Sequence, residues 1–372
     1  MRVSVPTIPQ FLLERVPSRP PISTTAAIER VADFIRPGNV TVLTGAGVSV
    51  DSGIRAYRGK DGRYMNPNYK PILYHQLVDR TEKGFRFRQR YWLRSFVGYP
   101  PVRDSQPNTT HFALAALQYK SVISRLITQN VDGLHHKAIS HVWDEPTRQS
   151  RILELHGTLH KVSCSSGHVV DRQTFQDWLA DANPKWKEFM AESERTGIQP
   201  RTNPDGDVVL EGVSYDDFVV PDCPTCFSEN KRNCNHKPHL IFFGESIPQD
   251  VKGRSFTDVE CGDRLLMMGT TLATFSAFRC VPPFLNFRCT TYFIPTASCR
   301  LVKHALEQHK PVMLLNVGPT RADDIPEVEK VEIPTGTILR QVVAAVLYVS
   351  PKRKIPGKSI LTISTMQGQR NT

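Results

Sequence analysis

Apolar and polar positions alternate along this chain with two different periods. Between Ala26 and Ile35 the apolar residues recur at helical spacing, and Pro37-Gly38 ends that helix. The next segment, NVTVLTGAGVS, is a short apolar run followed by Gly45-Ala46-Gly47. This pattern predicts a strand that turns directly into another helix.

The same alternation continues over most of the remaining chain. VISRLITQN and RILELHG predict two more strands, and three later runs of strand length are HLIFFGE, DRLLMMGTT and PVMLLNVGP. FRFRQRYWLRSF predicts a basic, aromatic helix, and TTHFALAALQ predicts a helix capped by Thr109 or Thr110. The irregular stretch from Ile54 to about Pro71 is too long for an ordinary connection, which is typical of a functional lid.

Strands that alternate with helices indicate the α/β class with a Rossmann-like, doubly wound parallel sheet. In such sheets, ligands bind beyond the carboxyl ends of the strands. Gln129, Asn130 and Asp132 directly follow the VISRLI run, so we expect them to lie in a functional site. We interpret His135 and His136, which come next, as residues of a helix surface.

The length of 372 residues favours one large layered domain with a smaller module inserted in it. The cysteine-bearing stretch from Cys164 to about Pro238 differs in composition from the segments on either side, which indicates that it forms that module. We therefore divide the chain into a presequence or disordered N-terminus (1–25), the first part of the Rossmann-like domain (26–160), a small zinc-binding module (161–238), the second part of the Rossmann-like domain (239–348) and a disordered basic tail (349–372).

The formal charge of +11 makes an anionic partner such as a dinucleotide plausible. The basic residues are mostly scattered, however, and no nucleic-acid reader motif accompanies them. We therefore expect no specific nucleic-acid binding. No apolar run approaches membrane-spanning length, so we expect a soluble globular protein with no membrane contact. We also expect the protein to be a monomer.

The N-terminal residues have the composition of a mitochondrial presequence. Arg2, Arg15 and Arg19 stand against the single acid Glu14, with Ser and Thr between them. Several prolines in this stretch disfavour the amphipathic helix of a presequence, so a disordered N-terminus is the alternative. The mitochondrial matrix is the predicted location, with the cytoplasm or nucleus as alternatives.

The cysteines predict a zinc site. Cys223-x-x-Cys226 is a metal half-site, and zinc requires two further thiolate or imidazole ligands. Cys164 is the natural third ligand. For the fourth we favour His168 over Cys234, because the first knuckle then supplies two ligands, while His236 is also near in sequence. The alternative is that these are ordinary buried thiols.

Three other strand ends carry candidate nucleotide-binding chemistry. Gly45-Ala46-Gly47 provides a tight turn in which backbone amides can approach a pyrophosphate, although glycine can serve turn geometry alone. Gly269-Thr270-Thr271 and Asn316-Val317-Gly318 place small, hydroxyl and amide groups where a ribose or adenine can be held. His156 ends the RILELHG run, and an imidazole that titrates near neutrality is suited to take a proton from a ribose hydroxyl.

Taken together, several segments resemble the sirtuin family of NAD-dependent protein deacylases. They are TGAGVSVDSGIRAYRG, TQNVDGLHHKA, ELHGTLHKVSC, CPTC, IFFGES, GTTL and LNVGPT, which occur in family order over about residues 26 to 340. RQRYWLRSFVGYPP, QPNTTHFALAAL and NPDGDVVL further resemble the mitochondrial class II branch, the sirtuin-four type.

The resemblance implies an NAD-dependent protein lysine deacylase that transfers the acyl group to ADP-ribose and releases nicotinamide. It implies that His156 is the general base, that Asn130 and Asp132 share the catalytic site, and that one zinc ion is structural. FFGES and the stretch after Gly269 would clamp the backbone of an acyl-lysine substrate. The implied cofactor-binding residues are Gly45, Ala46, Gly47, Ser52, Tyr57, Arg58, Gln129, Asn130, Asp132, Gly269, Thr270, Thr271, Asn316, Gly318 and Thr335.

Alternative functions use the same NAD site. They are protein mono-ADP-ribosyl transfer and lipoamide removal among enzymes, and an NAD-sensing scaffold outside catalysis. The intact set of Asn130, Asp132 and His156 argues against the scaffold.

The chain departs from the family pattern in two places. Gly167 stands where a CxxC knuckle has its second cysteine. Residues 280–300 interrupt a helix that the family pattern would run from FSAFR into LVKHALEQHKP. We hypothesise that this insert is translated from a retained intron, and we exclude Cys280, Cys289 and Cys299 from the zinc assignment.

Overall fold

The computed structural model describes residues 22–58, 62, 64, 71–197, 203–208, 210, 212–273 and 297–348. The presequence prediction up to residue 21, the retained-intron hypothesis up to residue 296 and the tail prediction for 349–372 lie outside the described residues. Within them, no helix is both long and apolar enough to cross a lipid bilayer.

The strands, numbered in chain order, are β1 Val40–Thr44, β2 Ile123–Thr128, β3 Ile152–Glu154, β4 Gly157–Cys164, β5 Val169–Asp171, β6 His236–Leu240, β7 Arg264–Met268, β8 Val312–Leu315 and β9 Val328–Val331. The α-helices are α1 Thr24–Ile35, α2 Tyr74–Leu77, α3 Glu82–Asp104, α4 Thr109–Tyr119, α5 Leu134–Ile139, α6 Glu145–Arg151, α7 Arg172–Ala182, α8 Pro184–Thr196, α9 Pro224–Ser228, α10 Gln249–Cys261, α11 Ala297–Glu307 and α12 Thr335–Leu347. A 3-10 helix covers Ala46–Ser52.

Six parallel strands form the main sheet in the order β3-β2-β1-β7-β8-β9. All five residues of the central strand β1 are buried. Its side chains alternate between the two faces: Val42 packs in a core that includes Val31 of α1, and Leu43 packs in a second core that includes Val302 of α11. Parallel sheets need this cover on both faces, and the predicted doubly wound α/β fold is confirmed.

A second, three-stranded antiparallel sheet has the order β5-β4-β6. The run HLIFFGE, which we grouped with the strands of the parallel sheet, contributes to β6 of this small sheet. Trp92 of α3 connects to this sheet, since its indole Nε1 donates to the main-chain oxygen of His236 in β6 at 3.2 Å. Its ring also lies 4.6 Å from that of Phe175 in α7. β4 begins before residue 161 and β6 ends after residue 238, and the domain boundaries drawn from the sequence stay a prediction.

The cap of α4 differs from the prediction. Asn108, not Thr109 or Thr110, is the N-cap, and its side chain accepts from the backbone amides of Thr110 and His111. Nδ1 of His111 accepts the Asn108 amide in return, at 3.3 Å, which completes a capping box. Histidine at this third helical position is outside the usual Glu or Gln pattern, which explains why the sequence did not reveal the cap.

Candidate functional site

A cavity of about 350 Å³ opens beyond the carboxyl ends of the parallel strands. Its size is in the range of small-molecule sites. Segments that follow β1, β2, β7, β8 and β9 form one side, and the segment after β6 forms the other. The lining residues are Gly45, Ala46, Gly47, Val50, Asp51, Ala56, Tyr57, Arg58, Tyr64, Ile72, Gln129, Asn130, Val131, His156, Asp205, Leu240, Ile241, Phe242, Phe243, Gly269, Thr270, Thr271, Leu315, Asn316, Val317, Ile333, Pro334 and Thr335.

The glycine turn after β1 packs directly on the turn after β7. The Gly45 amide donates to the Met268 oxygen at 3.0 Å, and the Gly47 amide donates to the Gly269 oxygen at 2.9 Å. A Cβ atom added at Gly45 or Gly47 would lie 2.8 Å from atoms of Gly269. Close backbone contact therefore requires both glycines, and it brings two of the predicted nucleotide-binding turns to one edge of the cavity.

Side-chain hydrogen bonds hold the polar lining in place. The Gln129 amide donates to Thr270 Oγ1 at 2.9 Å and to the Thr44 oxygen at 3.2 Å, which links the ends of β1, β2 and β7. Thr335 Oγ1 accepts from Thr110 Oγ1 at 2.9 Å. These bonds connect the polar side chains of the cavity wall to the strand ends behind them.

His156 has a defined tautomer. Its Nδ1 lies 3.0 Å from the main-chain oxygen of Gln129, which can only accept, so Nδ1 carries the proton. Nε2 then has a free lone pair in the cavity wall. Burial lowers the pKa of His156 to about 4, so the ring is neutral at pH 7. A neutral, oriented imidazole of this kind can act as a general base.

Asn130 and Asp132 meet at Ser49 of the 3-10 helix. Asn130 Nδ2 donates to Ser49 Oγ at 3.1 Å, and Ser49 Oγ donates to Asp132 Oδ2 at 2.8 Å. Asp132 Oδ1 also accepts the Leu134 amide at 3.0 Å. Asn130 lines the cavity, whereas Asp132 lies behind the wall and supports it through Ser49.

Two further predicted cofactor residues are also not part of the lining. Ser52 Oγ accepts from the side-chain amide of Asn108 at 3.0 Å, and the Gly318 amide donates to Glu332 Oε1 at 2.7 Å. The other predicted cofactor residues, except Asp132, surround the cavity.

Charged groups around the cavity are strongly perturbed. Burial raises the pKa of Asp132. Burial and the nearby charge of Asp132 raise the pKa of Glu154, at the end of β3, to about 8. Arg58 lies in the cavity lining, and burial lowers its pKa to about 10, which leaves it charged at pH 7. A partly buried guanidinium in the lining is the kind of group that binds phosphate oxygens.

The structure corrects the interpretation of His135 as a surface residue. It is 4% exposed, and its Nε2 lies 2.9 Å from Thr44 Oγ1 at the end of β1. The ring of His111, which is fully buried, lies 4.7 Å from that of His135. His136 is only partly buried.

Sequence reasoning missed several residues of the site. Ser49 and His111 lie within quoted motifs, but their chemistry depends on partners distant in sequence. Asp51 and Asp205 line the cavity, and the apolar side chains of Phe242 and Phe243 cover its far side. No local pattern distinguishes these residues from ordinary loop or core positions.

The second candidate site is a metal centre beside the small sheet. The ligand atoms of Cys164, His168, Cys223 and Cys226 all lie within 4.8 Å of one another. The Cys164 and Cys226 sulfur atoms are 3.8 Å apart, and His168 Nδ1 lies 3.4 Å from Cys226 Sγ. A tetrahedron with zinc–sulfur bonds of about 2.3 Å has edges of roughly 3.8 Å, so three thiolates and one imidazole fit zinc.

Neighbouring groups favour the thiolate form of Cys226, whereas burial raises the pKa of Cys223. Ser166 Oγ lies 3.4 Å from Cys226 Sγ, and the Asn233 side-chain amide donates to the same sulfur at 3.2 Å. These contacts lower the pKa of Cys226 to about 6. The described cysteines form no disulfide, in agreement with the predicted metal role.

Of the candidate fourth ligands that the sequence left open, the structure brings His168 together with the three thiols. Cys234 and His236 are not in the cluster, and the His236 ring instead lies 4.6 Å from that of Phe175. Gly167 has a φ of +87°, in the left-handed region, and its amide donates to the Cys164 oxygen at 2.9 Å. The resulting tight turn directs the next residue, His168, toward the three thiols.

Comparison with known proteins identifies the family of this chain. Residues 45–276 match the model of the Sir2 family. A protein of Batrachochytrium dendrobatidis named NAD-dependent protein deacylase SIR4 is 38% identical over 324 residues, which cover 85% of this chain and 93% of the relative. NAD-dependent protein deacylase Sirt4 of Drosophila melanogaster is 33% identical over 88% of this chain and 89% of the relative.

Solved structures share the fold. One reported for the mechanism and regulation of Sir2 enzymes has a TM-score of 0.55 at 23% identity and covers 86% of this chain and 97% of its own. A complex described as Sir2, p53 peptide and NAD+ has a TM-score of 0.53 at 21% identity, with 85% and 96% covered. The family match, the identity of the relatives and the shared fold confirm the resemblance to sirtuins. This chain belongs to the Sir2 family.

Proposed function

We propose that this protein transfers acyl groups from protein lysine side chains to the ADP-ribose part of NAD, which releases nicotinamide and leaves free lysine. The observation that carries the proposal is the position of His156: its neutral imidazole, oriented by Gln129, stands in the wall of a cavity that Asn130 also lines. Curated relatives at 33% and 38% identity bear the name NAD-dependent protein deacylase, which supports the same reaction.

The polar half of the cavity fits a dinucleotide. Arg58 supplies a positive charge for a pyrophosphate, while Gln129, Thr270 and Asn316 supply amide and hydroxyl groups for sugar hydroxyls. When bound, NAD supplies an electrophilic ribose carbon and a nicotinamide leaving group. His156 Nε2 takes a proton from a ribose hydroxyl, and Asn130, held by Ser49, orients groups on the same sugar.

The apolar half of the cavity fits an acylated lysine. Ile72, Leu240, Phe242 and Phe243 form a wall without formal charge, against which the lysine methylenes and the acyl chain can pack. Their side chains also exclude water from the reacting groups. The Tyr74 amide donates to the Phe243 oxygen at 2.8 Å, so one edge of this segment is already paired.

Zinc has a structural role in this proposal. Three sulfur atoms and one nitrogen complete a four-coordinate site, which leaves no open position for water. The ion would hold the loop of Cys223 and Cys226 against the end of β4.

The test is a mass-spectrometric screen of the full-length protein with NAD and a panel of lysine peptides bearing acetyl, longer branched acyl, lipoyl or biotinyl groups. Nicotinamide release that depends on the acyl group, matched by deacylated peptide, supports the proposal. Label from NAD retained on protein, without deacylation, would instead support mono-ADP-ribosyl transfer. NAD binding with neither reaction would leave a sensing scaffold.

We further propose a mitochondrial matrix location, on the basis of the resemblance to the class II branch and the basic N-terminal residues Arg2, Arg15 and Arg19. Imaging of the chain with a C-terminal fluorescent tag tests it, and a diffuse cytoplasmic or nuclear signal would contradict it. The expected monomeric state and the lack of specific nucleic-acid binding stay predictions for light scattering and binding assays.

A further inference from the structure

The apolar wall of the cavity lies where the chain leaves β6. Leu240 at the end of that strand lines the cavity, and so do the next three residues, Ile241, Phe242 and Phe243. Gly244, with a φ of +88°, then turns the chain away from the cavity. A turn this short has few backbone bonds of its own, so contacts with other groups decide where the wall lies.

The ammonium group of Lys237 holds the first part of this turn. Its Nζ donates to the Leu240 oxygen at 2.7 Å and to the Pro238 oxygen at 3.3 Å, and it lies 3.0 Å from Glu245 Oε1. An ammonium has three N–H donors, so these three oxygens satisfy all of them. Nζ also lies 5.4 Å from the centre of the Phe242 ring, within the range of a cation–π contact.

The carboxylate of Glu245 holds the second part of the turn. Its Oε2 accepts the Phe242 amide at 3.0 Å, while its own amide donates to the Phe242 oxygen at 3.0 Å. Its Oε1 is the atom paired with Lys237. The side chains of Lys237 and Glu245 are only 21% and 17% exposed, so water and salt screen this ion pair less than one on the open surface.

We infer that Lys237 and Glu245 are positioning residues for the acylated substrate: their ion pair fixes the turn that presents Leu240 and Phe242 to the cavity. Neither member of the pair is part of the cavity lining, so the pair acts without touching a substrate. This inference rests on the proposed function and names the groups that set the affinity of the apolar wall for acyl-lysine.

Two substitutions remove the ion pair in different ways. Lys237→Met deletes the charge but keeps an aliphatic stem beside the Phe242 ring. Glu245→Gln deletes the opposite charge but keeps an oxygen that can accept the Phe242 amide. We expect KM for the acylated peptide to rise about five- to tenfold in Lys237→Met and about two- to fivefold in Glu245→Gln. Both kcat and the Kd for NAD should change less than about twofold, because the wall contacts the ground state and the transition state alike.

A second lysine–carboxylate pair provides the matched control. Lys187 Nζ lies 3.0 Å from Asp181 Oδ1, but these side chains are 62% and 74% exposed. Exposed pairs contribute little, so Lys187→Met should match the wild type in KM, kcat and NAD affinity. If Lys237 and Glu245 served the fold alone, their loss would lower kcat, NAD affinity and the unfolding temperature together. That result, or an unchanged peptide KM in both variants, would overturn the inference.

A double-mutant cycle tests whether the two residues act as one unit. In the Glu245→Gln background the partner charge is already absent, so adding Lys237→Met should raise KM clearly less than it does in the wild type. A double variant whose KM rises by the full product of the two single effects would show independent roles and contradict the ion-pair argument.

Amide hydrogen exchange, measured by NMR at single residues, needs no turnover. The Phe242 amide should exchange about tenfold faster in Lys237→Met than in the wild type, because its acceptor Glu245 loses its own partner. The Ile241 amide donates to the His156 oxygen at 3.0 Å and should keep its wild-type rate. If the wild type deacylates no peptide but the Phe242 amide responds in this way, the proposed function fails while the positioning of the wall stands. Unchanged exchange at Phe242 would overturn the inference even in an active enzyme.

Discussion

Nδ1 of His156 donates to the main-chain oxygen of Gln129 across 3.0 Å, while the side chain of Gln129 donates to Thr270 Oγ1 across 2.9 Å. One residue at the end of β2 therefore orients the candidate base and fastens the turn after β7. The base and the candidate ribose-binding turn are placed relative to each other by the sheet itself.

Removal of the imidazole should abolish the reaction without unfolding the protein. His156→Ala should lower acyl-dependent nicotinamide release by about 100-fold or more, since positioned general bases contribute rate factors of that size. Zinc content, measured by elemental analysis, and the unfolding temperature should match the wild type. Turnover at the wild-type rate would remove His156 from the catalytic role.

The ionisation of His156 should be shifted downward. With a pKa of about 4, the neutral form persists at neutral pH and is lost only as pH falls through that value. Carbon or nitrogen NMR shifts of His156, assigned with His156→Gln, should thus stay constant between about pH 5.5 and 8, where an ordinary histidine titrates. A midpoint near the ordinary value of 6.5 would show that the ring is well solvated.

The lowered pKa of His156 also makes the stability of the protein depend on pH. Between the unfolded value of 6.5 and the folded value of about 4, the unfolded chain binds a proton that the folded chain does not. His156 therefore lowers the free energy of unfolding as pH falls through that window. His156→Gln should reduce the slope of unfolding free energy against pH there, measured by urea denaturation, and an unchanged slope would contradict the assignment.

Replacement of glycine by alanine should change the free energy of unfolding in opposite directions at two positions. Gly47→Ala places a Cβ 2.8 Å from Gly269 backbone atoms and should destabilise the fold by about 1–3 kcal/mol and weaken NAD binding. Gly253, exposed in α10, has nothing within 4 Å of an added Cβ, so Gly253→Ala should stabilise by about 0.5–1 kcal/mol. Urea denaturation and titration calorimetry measure the two effects, and equal stability changes would refute the steric argument.

Two matched cysteine substitutions test the zinc assignment. Cys223→Ser should lose bound zinc and lower the unfolding temperature, because one of four ligands is removed. Cys234→Ser should retain one zinc per chain, since Cys234 lies outside the ligand cluster. Elemental analysis after dialysis measures both, and loss of zinc from Cys234→Ser would reopen the choice of the fourth ligand.

The sequence predicted features that depend on local pattern. The strands β1, β7 and β8 are mostly apolar and almost wholly buried, as expected for strands covered on both faces, and β2 is buried in its second half. β9 was missed because VEKV has polar residues at its two central positions, although its ends are buried in the sheet edge. The predicted strand in HLIFFGE was placed with the wrong sheet, because an apolar run does not specify its pairing partner.

The site was predictable where residues at strand ends face the cavity, as with Gln129, Asn130 and His156. It was not predictable where function depends on contacts between distant segments. The sequence predicted Asp132 to line the pocket, but its carboxylate accepts from Ser49 instead. The sequence predicted His135 to lie on the surface, but its Nε2 lies within hydrogen-bond distance of Thr44 Oγ1 at the end of β1. Such directions are decided by tertiary packing, which no local periodicity records.

The position of β1 in the main sheet has a consequence for biosynthesis. β1 pairs on one side with β2 and on the other with β7, and Thr41 at its start bonds to the Asp258 oxygen, 217 positions later. During translation, the backbone edge of β1 that pairs with β7 therefore stays unpaired until the whole small sheet and α10 have emerged from the ribosome. Unpaired strand edges and long-range pairings slow folding and promote aggregation. Nascent chains halted before β7 should accordingly depend on chaperones, and their release should be followed by rapid closure of the sheet.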